Sequence, residues 1–372
     1  MKKYLLITAI IVAVIASCKT TRPLVYADKT LPVRGFCIVA PLPRTVDSFV
    51  NFINNDLAPR GVNVLVLRVD FNYQYTSHPE LRDSIALSKE DVKKIVAACK
   101  ANNIQVIPQV NLLGHQSWAN KTYNLLKKYP EFDETPSVIM PVKYEWPNAD
   151  SLYCRSYCPL HPGVHAVVFS LIDEICDVFE ANAFHAGMDE VFYIGDSKCT
   201  RCAGRDKAAL YAGEVTVLRD HLAASKKELW IWGDRLLDGN TTGLGMWEAS
   251  KNNTWAAVDM IPKDVMICDW HYERADKTPV YFAMKGFHVI TCPWRDAAVA
   301  NRQLADIIAF RNESTGDMKP RFGGMMQTVW TSNSNFLKGY YENKIDTVRG
   351  TKTEWYCFRE LYKSIGRLSS SK

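Results

Sequence analysis

An α/β fold, a closed (β/α)8 barrel of the TIM type with parallel strands, is what this sequence predicts. Three observations carry it. Eight short runs rich in β-forming apolar residues recur along the chain. They alternate with segments whose apolar residues fall at helical spacing. The runs are continuously apolar, as strands covered on both faces should be. Bulk composition agrees. The 372 residues are 47% hydrophobic and 23% charged, with a formal net charge of +5. That is ordinary for a globular chain able to bury a large core, and no Lys/Arg block points to a nucleic-acid partner.

The elements follow in order. GFCIVA (Gly35–Ala40) is the first strand, and TVDSFVNFINNDL a helix with Phe49, Val50, Ile53 and Leu57 on one face. VNVLVLRVD (Val62–Asp70) is the second strand. Ser88 and Asp91 give a capping signal for the next helix, whose buried face is Val92, Ile95, Val96 and Cys99. IQVIPQVNL (Ile104–Leu112) is the third strand. A long connection then runs from about Gly114 to Pro162, carrying Trp118, Tyr123, Trp146 and two cysteines; loops of that length are functional or have structure of their own. HAVVFSLIDEICDVFEAN is a helix and AFHAGMDEVF the fourth strand. A helix over RDKAALYAGEVTVLRDHLAASKK, strands ELWIWGDRL and VMICDWHY, and a short helix TPVYFAMKG come next. FHVITCPW is the seventh strand, DAAVANRQLADIIAFRNES a helix and FGGMMQTVW the eighth strand. YCFRELYKSIGRL is expected to close the ring as a last helix.

The amino terminus reads differently. Lys2 and Lys3 precede an apolar run, Tyr4 to Ser17, too short for an ordinary spanning helix and suited to a secretory signal. It ends in IASC, which resembles a bacterial lipobox. The resemblance implies cleavage before Cys18 and lipid on its thiol, so an exported protein anchored to the bacterial outer membrane. Residues 1–17 are then a signal peptide, 18–33 a polar tether and 34–372 a single catalytic barrel.

In such a barrel the working face is formed by the C-terminal ends of the strands. Here those ends carry Arg68 and Asp70; Asn111, Gly114 and His115; Asp189 and Glu190; Trp232 and Asp234; Asp269, Trp270, His271 and Tyr272; Trp294; Gln327 and Trp330. Tryptophans with a few polar groups suit a sugar, whose C–H faces stack on rings while its hydroxyls need partners. Along the fourth strand a period of two puts His185, Gly187 and Asp189 on one face, the lumen. Glu190 follows where the chain turns. Two carboxylates side by side and partly desolvated push one pKa up, so one stays protonated while the other is charged, as acid catalysis at a glycosidic oxygen requires.

HAGMDE (His185–Glu190) resembles the His-x-Gly-x-Asp-Glu motif of family 20 glycoside hydrolases, the β-N-acetylhexosaminidases. The resemblance covers most of residues 34–345, with Arg34–Gly35, Gly114–His115, Trp232–Asp234 and Thr328–Trp330 as further matches. It implies substrate-assisted, retaining hydrolysis of terminal β-linked GlcNAc or GalNAc, with no cofactor required. Asp189 would orient the substrate's acetamido group and Glu190 would be the acid and base. Tyr272 would donate to the acetamido oxygen, with Tyr193 as the competing tyrosine. Arg34 would bind sugar hydroxyls, Trp232, Trp270 and Trp330 would wall the pocket, and His115 and His185 would position the acids. Arg68 stands where histidine is more typical of the family. A glycan-binding lipoprotein without hydrolysis is the alternative from another class; a proton donor argues against it.

Cysteines 37, 268 and 292 fall inside apolar strands, as small hydrophobes do. Cys154/Cys158 and Cys199/Cys202 follow the third and fourth strands, which are neighbours. Those four could bind a structural zinc ion, form two disulfides or remain thiols.

Overall fold

In the computed structural model, residues 30–139, 154–343 and 345–370 are described. Cys18, the signal peptide and most of the tether therefore lie outside the described residues, as does Trp146. No helix among the described residues is long and apolar enough to cross a membrane.

Eight parallel strands close into a barrel: β1 Val33–Val39, β2 Val64–Arg68, β3 Gln105–Leu112, β4 Ala183–Gly187, β5 Glu228–Trp232, β6 Met266–Trp270, β7 His288–Cys292 and β8 Phe322–Thr328. Each pairs with its neighbours in sequence, and β1 closes on β8 with Cys37 opposite Thr328. The principal helices are α1 Val46–Phe52, α2 Lys89–Ala101, α3 Val164–Val178, α4 Lys207–Ala224, α5 Thr278–Met284, α6 Ala297–Glu313, α7 Asn333–Tyr341 and α8 Glu354–Ser370. The capping box of α2 is present: the Ser88 hydroxyl accepts from Asp91 N, and the Asp91 carboxylate accepts from Ser88 N.

Two apolar layers result. Side chains alternate along each strand, so one set fills the lumen and the other packs under the helices. The lumen holds Cys37, Val64, Val66, Ile107, Trp230, Trp232, Cys268, Trp270, Ile290, Cys292 and Met326. Cys37, Cys268 and Cys292 thus serve as compact core residues, and burial lifts the Cys37 thiol to about 12. The outer layer includes Phe36, Phe52, Phe336 and Phe358, which contact one another ring to ring.

Three expectations need correction. The fourth strand stops at Gly187 and does not reach Asp189, because Gly187 (φ 70°) and Met188 (φ 71°) turn into the left-handed region. A period of two therefore does not place Asp189. Helix α7 was not expected from sequence, although Ser332 caps it and Phe336, Leu337 and Tyr340 form its buried face. The packed fold also begins slightly earlier than residue 34: Leu31 is buried and β1 starts at Val33.

Candidate active site

The site is built where β2, β3 and β4 end. Five non-glycine residues with left-handed backbone stand there: Asp70 (φ 46°), Leu113 (59°), His115 (53°), Met188 (71°) and Glu190 (48°). Each costs on the order of 1–3 kcal/mol and persists only where surrounding contacts hold it. Those contacts are visible. Asp70 Oδ1 accepts the Asn111 N–H at 2.8 Å. Tyr211 donates its hydroxyl to Met188 O at 3.0 Å. Gln116 Nε2 donates to Asn111 O and Gly114 O, both at 2.9 Å. Asn252 Nδ2 donates to Val191 O and Phe192 O. The glycines are needed for space as well. A Cβ on Gly187 would lie 2.5 Å from Asn111 Oδ1, and one on Gly114 would lie 2.7 Å from Asp189 O.

This framework brings Asp189, Glu190 and His115 together. His115 Nε2 lies 3.1 Å from Asp189 Oδ2 and 3.0 Å from Glu190 Oε2. The imidazole stacks on Trp118, with ring centroids 5.8 Å apart. Burial alone would lower the His115 pKa, but the adjacent Asp189 carboxylate outweighs it and holds the ring in its charged form. Burial likewise disfavours the Asp189 charge. The His115 cation more than offsets this and keeps Asp189 below its ordinary value. One cation thus lets two adjacent carboxyl groups share a buried site. Asp189 Oδ1 is buried and has no hydrogen-bond partner among the described residues.

The acids are also held from β5. Asp234 Oδ2 accepts the Glu190 N–H at 2.9 Å and the Arg235 Nε–H at 2.7 Å, and Asp234 Oδ1 accepts from Trp270 Nε1 at 3.2 Å. Burial raises the Asp234 pKa to about 6 against the pull of Arg235. His185 lies against Trp232, centroids 4.4 Å apart, and its Nδ1 accepts the Gly187 N–H. Burial lowers its pKa to about 3, so it is a neutral wall residue.

The aromatic wall is continuous. Trp232 meets Trp330 (5.9 Å), Trp270 meets Tyr272 (4.9 Å), and Tyr272 meets Trp294 (5.3 Å). Trp330 donates its Nε1–H to the Tyr272 hydroxyl oxygen at 2.9 Å, which aims that oxygen. Glu354, at the start of α8, accepts from Trp294 Nε1 at 2.5 Å and Trp330 N at 2.7 Å, so the last helix sets two walls at once. Asp269 and His271, which alternate with Trp270, leave the pocket. His271 contacts Glu248 (2.8 Å) and Asp269 (3.2 Å) behind the wall.

Two sequence-based assignments are corrected. Arg34 sits near the N-terminal end of β1, at the barrel floor, where it donates from Nε to Gly61 O and from Nη1 to Leu31 O. Its side chain alternates with the lumen residues Val33 and Cys37, so it faces outward. The arginine at the working face is Arg68. It ends β2, its guanidinium lies 4.5 Å above the Trp330 ring, and its Nε is buried without a hydrogen-bond partner among the described residues. The four cysteines also do not meet as a quartet. Cys154 lies in the acid site, with Sγ 3.6 Å from His115 Nδ1 and 3.8 Å from Glu190 Oε2, whereas Cys158, Cys199 and Cys202 gather elsewhere with Glu134. Asp234 and Arg68 were placed at the working face by sequence but given no role there, and Cys154 was grouped with the other three cysteines and not with the acids. The strand-end position of Asp234 and Arg68 was a usable signal; Cys154 had none.

Residues 70–314 match the family model described as glycosyl hydrolase family 20, catalytic domain. Hexosaminidase D of Bos taurus is 26% identical over 186 residues, 48% of this chain and 48% of its own length. A beta-hexosaminidase of Akkermansia muciniphila is 32% identical over 124 residues, 33% of this chain and 23% of its own. The chain thus spans about half or less of these curated relatives. In fold it is similar to a crystal structure of a beta-N-acetylhexosaminidase (TM-score 0.61, 18% identity, 89% of this chain and 71% of that one). It is also similar to the beta-N-acetylhexosaminidase of Bacteroides fragilis (0.59, 16%, 92% and 71%).

Proposed function

The chain belongs to glycosyl hydrolase family 20, and from that premise we propose that it is an exo-acting β-N-acetylhexosaminidase. It removes terminal β-linked GlcNAc or GalNAc from a glycan with retention at the anomeric carbon. The observation that carries this reading is the unequal use of the Asp189 carboxylate: Oδ2 meets His115, while buried Oδ1 has no partner among the described residues. An unmet buried acceptor costs about 1–3 kcal/mol, which a ligand N–H recovers. The acetamido N–H of the substrate is such a donor.

The step then balances. The acetamido oxygen bonds to the anomeric carbon as the bond to the leaving oxygen breaks. The Glu190 proton passes to that leaving oxygen. Positive charge develops on the acetamido group beside Asp189, where a fixed carboxylate stabilises the transition state more than the ground state. Water then adds at the anomeric carbon, gives a proton to Glu190 and releases the acyl arm. Tyr272 donates to the acetamido oxygen, Arg68 meets sugar hydroxyls, and Trp232, Trp270 and Trp330 enclose the ring. The reaction so drawn needs no cofactor. The amino-terminal signal supports export and lipid attachment at Cys18, which would tether the enzyme to a membrane surface.

The test is hydrolysis of an aryl β-GlcNAc beside the matching aryl β-glucoside, which lacks the acyl arm. Turnover of the first only, with inhibition by a thiazoline mimic of the cyclised intermediate, is expected. Equal rates on the two would end the reading.

A further inference from the structure

Glu134, Cys158, Cys199 and Cys202 offer four donor atoms within 4.8 Å of one another, and all four residues are buried. Cys158 Sγ lies 3.1 Å from Cys202 Sγ and 3.6 Å from Cys199 Sγ. A disulfide needs about 2.05 Å, and Cys158, Cys199 and Cys202 are all free cysteines. Around a tetrahedral zinc with Zn–S near 2.3 Å, sulfurs stand roughly 3.8 Å apart, which these would reach by moving outward a few tenths of an ångström. The carboxylate completes the set. Glu134 Oε1 accepts the Asp196 N–H at 2.9 Å, while Oε2 is buried and has no hydrogen-bond partner among the described residues.

Backbone hydrogen bonds hold the segments that carry these donors. Asp133 and Tyr157 form an antiparallel bridge, with Glu134 N donating to Ser156 O and Cys158 N to Phe132 O. Arg155 reinforces it by donating to Asp133 Oδ2 and Thr135 O. Cys199 and Cys202 lie on one tight turn, in which Cys199 N donates to Asp196 O and Ala203 N to Cys199 O. Two residues between paired cysteines is the spacing of zinc-binding turns.

We propose that these four residues bind one Zn2+ ion as a closed structural site that clamps the loop after β3 to the loop after β4. Three sulfurs and one oxygen in a tetrahedral, water-excluding pocket suit zinc over the hard cations. The clamp bears on the acid site through the chain. Cys158 lies four residues beyond Cys154, which touches Glu190, and Cys199 follows Glu190 in the next loop. The proposal stands apart from the glycosidase reading and does not depend on it.

The test is elemental analysis of the full chain purified without chelator or a metal-affinity step. One zinc per chain is expected, and after exchange a Co2+ form with thiolate-to-cobalt charge-transfer absorption. Cys154→Ser should keep the metal. Glu134→Gln and Cys199→Ser should each weaken Zn2+ affinity at least about tenfold in competition with a chromogenic chelator. Protein that is zinc-free as purified and takes up neither Zn2+ nor Co2+, protein that holds iron instead, or a Cys158–Cys202 disulfide in a non-reduced peptide map would overturn the site. Metal content, metal uptake and the peptide map are read on the unmodified chain, so they require neither a variant to fold nor the enzyme to turn over.

Discussion

A carboxylate oxygen of Asp234 accepts the backbone N–H of Glu190 at 2.9 Å, so β5 sets the position of the acid that follows β4. The same carboxylate is the partner of buried Arg235. Asp234→Ala would leave that guanidinium buried without its counter-charge, at a cost of about 3–5 kcal/mol. Urea unfolding should show this loss. Asp234→Asn should keep more of the stability but lower kcat; unchanged kcat in a folded Asp234→Asn protein would show that this contact does not position the acid.

Glu190→Gln removes the proton donor but keeps the shape. General acid catalysis contributes typically 10²–10⁴-fold. Turnover of aryl β-GlcNAc substrates should fall by about that factor for poor leaving groups and by much less for a leaving group that needs no proton. A loss independent of leaving-group basicity would assign the acid role elsewhere.

His115 acts through Asp189 and Glu190 and is a positioning residue. The His115 cation offsets the burial of Asp189 and holds its pKa down. In His115→Gln the Asp189 pKa should rise, and the acidic limb of kcat/KM against pH should move to higher pH. A purely structural histidine would lower the rate without moving that limb.

His271 gives a stability prediction with a definite sign. Burial disfavours its charge, but Asp269 and Glu248 outweigh that and raise its pKa to about 10. A raised folded pKa means the contribution is complete below the unfolded value near 6.5 and is lost as pH rises through about 10. The wild type should therefore lose stability relative to His271→Gln between pH 6.5 and 10, measured as the difference in urea midpoints. A pH-independent difference would contradict the charged state.

The two arginines separate floor from face. Arg34→Ala removes hydrogen bonds to Gly61 O and Leu31 O and should cost about 1–2 kcal/mol of stability with kcat/KM within about twofold. Arg68→Ala should raise KM about tenfold or more with little loss of stability. The reverse pattern would return sugar binding to Arg34.

The barrel was legible because its signals are short-range. An apolar run, a capping pair such as Ser88–Asp91, and a helical stripe depend on residues one to four positions apart. Strand number and the direction of each strand's exit followed, and with them the neighbourhood of Asp189, Glu190, Trp232, Trp270 and Trp330. Helix α7 escaped because its apolar face is interrupted by polar residues and its burial comes from packing on α8 and the first β–α layer.

Sequence alone thus assigned the barrel, which rests on local spacing, and named the adjacent acids through the resemblance of HAGMDE to a family motif, whereas a period of two did not place Asp189. Sequence had put Arg68 at a strand end; tertiary structure showed that its guanidinium lies over Trp330, and that the Arg34 side chain is tied to Gly61 O and Leu31 O at the barrel floor. Tertiary structure alone moved Cys154 to the acids and brought Glu134 to the other cysteines. Those meetings depend on how loops from two strands pack together, and no periodicity along the chain encodes that.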